Sequence, residues 1–461
     1  MHDWENDGIQ CFGEDIMNRR EFITAGTGAF FIATAGKAFG VAAPSSRVRL
    51  AIIGCHAKGR GFRVMQNAIK VPGVEIAVVC DVDSRARDAA AAKILELTGV
   101  ETRKEKDIRK VLEMPDVDGV LVETPDHSHA WIAWAAMKAG KAVYVEKPCS
   151  FCQRESEILL ATQRATNGIF QMGNQRRSDV NNIAAIKAIR EGAIGEPVWG
   201  KTWYSATRQP IGKGKVVAVP EWLDWDLWQG PAPRTEYRDN IVHYNWHWML
   251  RWGTGENGNN APHFTDVVRW ALGEDGYPVR TTAGGGRFFY TGDDWEWPDS
   301  VNATWEFADR KFITWECMSC VQNNPYMGCG TGGMVYGLNG AVLFRANCTA
   351  ALFDKTGKLV KEWTGGGNGA EVSELNKVMS FGNMDVAHLA RFAECIRNHD
   401  PKTASTADDA VKSVSMTHYA NIAQLTGETV RTDAATGALV CGNAAMAKLW
   451  NREYEKGWEM V

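Results

Sequence analysis

Past residue 44 the chain has no apolar run that approaches the roughly 18 residues of a membrane-crossing helix, so no span is expected once any leader is removed. It has no surplus of basic charge either. The 51 Lys and Arg stand against 55 Asp and Glu for a net charge of -4, and no Lys/Arg block is dense enough to grip a phosphate backbone. Nucleic acid is therefore not an expected partner. No internal repeat is found, which argues against a solenoid. The 11 cysteines lack the order of a disulfide framework. Cys149-x-x-Cys152 and Cys317-x-x-Cys320 form two pairs, but they lie far apart without a nearby pair of histidines, and the other cysteines are scattered. Buried small hydrophobes account for them better than a zinc site or a redox pair. What is abundant is tryptophan, 19 in all, read first as core and interface packing and second as platforms for stacking sugars. A chain of 461 residues is too long for one ordinary core, and two domains are expected.

The first 44 residues stand apart from the fold. Asn18-Arg19-Arg20-Glu21-Phe22-Ile23 resembles a twin-arginine export signal, and residues 23–43 are rich in Gly and Ala, with Lys37 the one charge and small residues at the end. Export to the periplasm is expected. The residues before Met17 carry acidic side chains and fit no signal's basic start, which makes Met17 a candidate first residue.

From Arg47 the sequence VRLAIIG gives an apolar run of strand length and then a glycine-bearing turn, Gly54-Cys55-His56-Ala57-Lys58-Gly59-Arg60-Gly61. Strand, tight turn and helix form the opening of a dinucleotide-binding domain, so Gly54, Cys55, His56, Gly59, Arg60 and Gly61 are expected beside a cofactor. His56 stands where the middle glycine of G-x-G-x-x-G would let backbone approach a pyrophosphate. The next strand, 74–80, ends in Asp81 about twenty residues past the turn, where a carboxylate bonds ribose hydroxyls and favours NAD over NADP. Residues 118–148 then read as buried strand, polar turn, helix and second buried strand. The helix is signalled by Ala130, Ile132, Ala133, Ala136 and Met137, and Gly140 closes it. The second strand stops in Glu146-Lys147-Pro148, which sets a lysine at a strand's carboxyl end, where open α/β sheets put their ligands.

The second half reads differently. Runs at 198–204, 301–307, 311–315 and 341–344 alternate and are broken by Gly-rich turns, as antiparallel sheet does. One helical stretch, 261–272, follows the Gly/Asn-rich segment 253–260, and a helix-rich tail runs from Asp385 to about Leu425. His243 and His247 stand four apart, so on a helix they would share a face, but no clear third ligand accompanies them and no metal is expected. Contacts to sugar hydroxyls or packing against Trp246 and Trp248 are the readings kept for them. His127 and His129 are read as turn-stabilising or as ligand contacts.

Taken together, the first strand and turn, Thr124-Pro125-Asp126-His127-Ser128-His129-Ala130, Glu146-Lys147-Pro148 and Gly173-Asn174-Gln175-Arg176-Arg177 resemble the glucose-fructose oxidoreductase and inositol dehydrogenase family, Gfo/Idh/MocA. DWDLWQGPAP at 224–233 and Arg452-Glu453-Tyr454 resemble its exported subgroup. The resemblance covers nearly the whole mature chain. It implies an α/β N-terminal Rossmann domain, 45–170, binding NAD, and an α+β C-terminal domain, 171–461, with an open, mainly antiparallel sheet. That sheet would carry the sugar site on one face and often a homo-oligomer contact on the other. It places Thr124, Pro125, Asp126, His129, Glu146, Lys147 and Asn174 at the cofactor.

In this family an Asp-x-x-x-His-x-x-Asp pattern supplies the catalytic histidine, and here the three positions are Asn259, His263 and Asp266. Histidine suits removal of a hydroxyl proton near neutral pH, with a carboxylate behind it to orient the ring. Asn259 can orient but not neutralise. Either Glu256 or Asp266 takes that part, or His263 is a weaker base than usual, or the chemistry differs. The expected activity is NAD-dependent oxidation of a sugar or glycoside hydroxyl, with Lys147 and His263 as the reacting pair. Two other classes compete: a glycosidase that oxidises its substrate transiently, and a sugar-binding protein without catalysis. Exported glycosidases resembling this family tend to lack the lysine, and a binder needs neither residue.

Overall fold

The computed structural model describes residues 47–322, 326–365 and 384–461; the export signal expected within residues 1–44 lies outside them. Val48–Ile53 (β1) is apolar at every position but Arg49 and buried almost throughout, the pattern of a strand covered on both faces. Around it Val74–Cys80 (β2), Arg103–Glu105 (β3), Gly119–Val122 (β4), Ala142–Val145 (β5) and Phe170–Met172 (β6) form a parallel sheet in the order β3-β2-β1-β4-β5-β6. Strand order reverses between β1 and β4, which opens a crevice beyond their carboxyl ends. Between β4 and β5 the helix Asp126–Lys138 buries Ala130, Ile132, Ala133, Ala136 and Met137 against the sheet, and Gly140 takes the left-handed conformation that ends it. Because β6 pairs with β5, a domain boundary at residue 170 falls within the first sheet's last strand.

The second sheet has ten strands: Pro197–Ser205 (β7), Arg280–Gly286 (β8), Ser300–Glu306 (β9), Phe312–Met318 (β10), Thr331–Gly337 (β11), Gly340–Arg345 (β12), Ala350–Asp354 (β13), Leu359–Trp363 (β14), Val430–Thr432 (β15) and Leu439–Cys441 (β16). Their order is β14-β13-β12-β11-β7-β10-β9-β8-β15-β16. The sheet is mainly antiparallel, as expected, with one exception: β7 and β10 pair in parallel at its centre. Burial alternates along β10 with period two. The covered face carries Trp305 and Trp315, both fully buried, whose indole N–H groups donate to the Met416 carbonyl (2.7 Å) and to Asn257 Oδ1 (3.0 Å).

The helical tail is two helices, Met384–Asn398 and Ala407–Thr426. Ala407–Thr426 is buried along nearly its whole length because it is wedged between both domains, packing on helix Gln153–Thr166 and on β8. The last residues return to the first domain. Arg452 donates to the His127 carbonyl (2.8 Å), Tyr454 to the buried Glu155 (3.2 Å), and Trp458 packs on Trp131 with ring centroids 4.5 Å apart.

Several histidines are built in as neutral groups. Burial pushes His127, His247 and His418 down to about 3 and His388 to about 4. A histidine depressed in the fold contributes stability above its unfolded value, near 6.5, and loses it as pH falls toward the folded value. His418, bonded through Nε2 to Ser150 Oγ at 2.8 Å, shows burial as the sole cause. Replacing it by Gln should therefore shrink the loss of unfolding free energy between pH 8 and pH 5 by about 2 kcal/mol in denaturant titrations. An unchanged loss would show that the ring is charged in the folded protein.

Candidate active site

The carboxyl ends of β1, β2, β4 and β5 open on a cavity of about 940 Å³ whose far wall comes from the second domain. Its floor is the turn 54–61. Gly54 has φ +85°, and a Cβ on Gly61 would lie 1.9 Å from the Gly54 carbonyl oxygen, so both positions exclude side chains. Of the glycines in the turn it is Gly61 that allows the close approach of helix Arg60–Ile69 to the sheet. That helix begins at Gly59 with no side-chain cap, leaving its first N–H groups open to the cavity, a ready site for a pyrophosphate. Asp81 Oδ2 accepts from Cys55 N (2.7 Å) and Oδ1 from Asp83 N (2.9 Å), which fixes its carboxylate at the cavity edge with lone pairs to spare for ribose hydroxyls. His56 stacks on His243 of the second domain, centroids 4.0 Å apart, and His243 Nε2 lies 3.0 Å from Asp83. The turn histidine is thereby anchored to a ring across the cleft.

Most of the expected residues meet here. Gly54, His56, Gly59, Arg60, Gly61, Asp81, Thr124, Pro125, Asp126, His129, Glu146, Lys147, Asn259 and His263 all line the cavity. Lys147 Nζ donates to the Asn259 carbonyl at 2.6 Å and to its side-chain oxygen at 3.2 Å. Burial lowers the affinity of this ammonium for its proton. Opposite it, burial and then the Lys147 charge push His263 well below its usual value, so the ring is neutral at physiological pH. Among the described residues the His263 ring has no hydrogen-bond partner. Glu146 accepts from Arg60 Nε (3.0 Å) and Gln175 (2.7 Å), and Asp126 from Thr254 N and Oγ1 (3.1 and 2.5 Å). His129 holds its ring between the Pro148 and Thr124 carbonyls, at 2.7 and 2.6 Å, a turn-stabilising role.

Three expected residues do not face the cavity. Asp266 is buried and committed to Arg177 (2.9 Å), Asn174 (2.8 Å) and Ser413 (2.7 Å), so it anchors the fold and does not orient His263. Asn174, its partner, is turned away from the cofactor side for the same reason. Cys55 contributes its backbone N–H, while its thiol is fully buried toward Ala86. Glu256 does not orient the histidine either: its carboxylate takes Arg208 Nε (2.5 Å), Ser319 (2.8 Å) and Asn260. Neither carboxylate named as a possible orienter of His263 has its oxygens on that ring.

The cavity also holds residues that sequence reasoning passed over. Glu123 follows β4, and both its buried carboxyl oxygens lack a partner among the described residues; burial, then the neighbouring Glu146, raise it well above the usual carboxylate range. Its place directly after a strand-length apolar run was the available signal. Asp385, which forks onto Arg60 with two 2.9 Å bonds, comes from the tail helix, and no local pattern announces it. His247 does not share a helix face with His243. It sits in a short 3-10 turn, Asn245–Trp248, stacked on Trp246 at 3.6 Å.

Comparison with known proteins agrees with this geometry. Residues 48–174 match the Gfo/Idh/MocA oxidoreductase family's NAD-binding Rossmann fold, and residues 184–336 match its C-terminal alpha/beta domain. The chain belongs to this family. It is similar to a glycosyl hydrolase family 109 protein of Stenotrophomonas maltophilia, 32% identical over 194 residues, or 40% of this chain and 41% of the relative. It is also similar to a scyllo-inositol 2-dehydrogenase (NAD(+)) of Bacillus subtilis, 34% identical over 157 residues, 34% of this chain and 44% of that one. The chain thus spans less than half the length of these curated relatives. An aldose-aldose oxidoreductase of Caulobacter crescentus shares the fold with a TM-score of 0.61 at 19% identity, covering 84% of this chain and 99% of that one. NAD, the cofactor of the Gfo/Idh/MocA N-terminal domain, fits the residues present: the Gly54 and Gly61 cradle, the open helix start, the Asp81 carboxylate and the unpartnered Glu123.

Two outcomes follow from these placements. Asp266→Ala removes the nearer of two carboxylates from the buried Arg177 guanidinium, leaving Asp409 at 3.3 Å, and should lower unfolding free energy by roughly 3 kcal/mol; a variant as stable as the parent would show that Asp266 is no anchor. In calorimetry NAD should bind more tightly than NADP, and Asp81→Ala should narrow the gap, because the carboxylate repels a ribose phosphate. Equal affinities in the parent protein would contradict that role.

Proposed function

We propose that the protein is an NAD-dependent oxidoreductase acting on a hydroxyl of a sugar or glycoside. The observation that supports this most is the pairing, across one cavity, of a half-buried lysine at a strand end with a neutral histidine, near a helix start, whose ring has no partner among the described residues. NAD, when bound, supplies the hydride acceptor. Lys147 has three N–H donors and spends two on Asn259, leaving one for the oxygen of the reacting hydroxyl. Its charge stabilises the alkoxide character that develops there. His263 accepts the hydroxyl proton at a ring nitrogen. Trp246 and Tyr244 offer flat apolar faces on which the C–H side of a sugar ring can stack.

The twin-arginine-like segment supports a finer reading, in which the protein reaches the periplasm folded with its cofactor retained. Oxidation of one sugar is then balanced by reduction of another in the same site. Oxidation at the third ring carbon would give a 3-keto-glycoside, whose neighbouring C–H is acidified. A second reading takes that one step further: elimination of the aglycone from such an intermediate, addition of water to the resulting enone and return of the hydride to the keto carbon would make the protein a glycosidase, and the resemblance to a glycosyl hydrolase family 109 protein favours keeping it. On the outer side of the second sheet Trp199 stacks between Phe312 and Tyr336, centroids 5.6 and 4.6 Å away, an aromatic strip suited to a second copy of the chain.

Lys147→Ala or His263→Ala should cut turnover on the order of a hundredfold or more with folding intact. Because both groups are depressed by burial, kcat/KM should hold its plateau below pH 6.5 and begin its alkaline fall below pH 10.5. A Lys147→Ala protein with full turnover removes the assignment. For the finer reading, mass spectrometry of the denatured protein should release NAD, and hydrogen label should pass from one sugar to another without added nucleotide. Turnover only with NAD supplied in solution would replace it with an exchanging dehydrogenase, while release of free aglycone would select the glycosidase.

A further inference from the structure

Between β7 and the helix Gly255–Asn259 the second domain sends residues 206–254 back over the first domain as a strap. The strap is fastened beside Asp81, on the residues that follow β2. Ser84 N donates to the Trp222 carbonyl (2.9 Å), Asp224 N donates to the Val82 carbonyl (3.1 Å), and Asp83 and Leu223 form an antiparallel bridge between these bonds. Side chains add to the fastening: the Arg85 guanidinium lies 3.5 Å above the Trp222 ring, Lys106 Nζ donates to Asp224 at 2.8 Å, and His243 stacks on His56. Each contact is weak alone, but all act around the end of β2 and must break together for the strap to lift.

Beyond the fastening the strap turns through the helix Trp225–Gln229, capped by Asp224, and walls the cavity with Leu227, Trp228 and Gly230. His127 Nε2 donates to the Trp228 carbonyl at 2.9 Å and holds this wall against the start of helix Asp126–Lys138. Trp458 of the returning tail closes the corner; a Cβ on Gly230 would lie 3.9 Å from it. Facing them from the first domain are Val82, Ile108 and Ile132. The lobe so formed is apolar and adjoins Asp81, whose N–H donates to the Glu105 carbonyl (3.3 Å) just ahead of Lys106 and Ile108. With a pyrophosphate at the start of helix Arg60–Ile69 and a ribose on Asp81, the base carried by that ribose is the part of NAD left for this lobe. A flat purine suits an apolar slot of this kind.

We propose that the strap and Trp458 form the adenine compartment of the NAD site, and that release of NAD requires the strap to lift from residues 82–85. The inference rests on NAD binding in this cavity and on no particular sugar chemistry. It gives the retained cofactor of the finer reading a structural cause: the adenine end is enclosed by the other domain.

The test loads the protein with NADH, mixes it with a large excess of NAD and follows the loss of bound NADH fluorescence. Reduced nicotinamide mononucleotide, which lacks the adenosine half, is the control ligand. NADH should leave the parent protein over minutes or longer, and the reduced mononucleotide at least a hundredfold faster. Trp222→Ala combined with Asp224→Ala unfastens the strap without altering a cavity-lining residue and should speed NADH release at least tenfold, with mononucleotide release unchanged. Leu227→Asp, which sets a charge in the half-buried wall, should weaken ADP-ribose binding at least tenfold in calorimetry and leave the mononucleotide's affinity as it was. NADH release from the parent within seconds, the same release rate with and without the fastening, or unchanged ADP-ribose affinity in Leu227→Asp would each overturn the proposal. The parent's ratio of NADH to mononucleotide release decides even if a variant fails to fold. A parent protein that binds neither NADH nor ADP-ribose would instead remove the NAD site itself, while sugar oxidation with a freely exchanging cofactor would keep the proposed activity and overturn only the strap.

Discussion

The bond from Lys147 Nζ to Asn259, 2.6 Å to the carbonyl and 3.2 Å to the side-chain oxygen, is the contact on which the site depends. It joins the end of β5 in one domain to the end of a short helix in the other, across the space a ligand must enter. An ammonium out of water requires donors and acceptors set in advance, and much of the surrounding structure supplies them. Gln175 and Arg60 hold the neighbouring Glu146, Thr254 holds Asp126, and Asn421 fixes the Thr254 carbonyl (2.9 Å) and the Asn257 side chain (2.8 Å) from the wedged tail helix. The helix Ala407–Thr426 is buried nearly all round because it is packed between the elements that carry the two halves of the site.

Asparagine at 259, in place of the family's aspartate, changes what faces the lysine and not what faces the histidine. An aspartate beside Lys147 would neutralise it. A neutral amide holds the ammonium in place and leaves its charge for a developing alkoxide. Among the described residues His263 has no carboxylate behind it, and it lies in a cavity where burial, Lys147 and Arg176 all act to keep the ring neutral. In the proposed reaction, basicity lost by the histidine is complemented by oxygen polarisation from the lysine, and the two effects arise from one space.

Negative charge is distributed unevenly in the same cleft. Asp81 is held by backbone N–H groups, Glu146 and Asp385 by Arg60, while burial and then Glu146 push Glu123 well above the usual carboxylate range. The open start of helix Arg60–Ile69 thus faces the cavity without a fixed anion seated on it, which is the electrostatic condition for binding a pyrophosphate there.

Local patterns made the first domain legible before any coordinates. A strand buried on both faces must be apolar along its length, a turn in close contact must use glycine, and a strand-ending lysine lies where parallel sheets place ligands; β1, Gly54, Asp81 and Lys147 follow from such rules, whereas the spacing points to Gly59 and the close contact falls on Gly61. The helix Pro262–Leu272 with His263 at its start, and the alternating strands of the second sheet, were legible on the same grounds. Pairing across long separations was not. The parallel contact of β7 with β10, the return of the tail to Glu155, and Asp385 on Arg60 join segments whose sequences carry no record of one another. Partner choice among charged groups was also hidden, because a carboxylate's role depends on which donor reaches it first in space: Asp266 went to Arg177 and Glu256 to Arg208. The sequence by itself determined which elements form and which chemical groups stand at their ends, since those depend on neighbours along the chain; only the tertiary structure decided which of those groups are neutralised and which remain for a ligand, since desolvation and Coulomb interaction depend on distance in space.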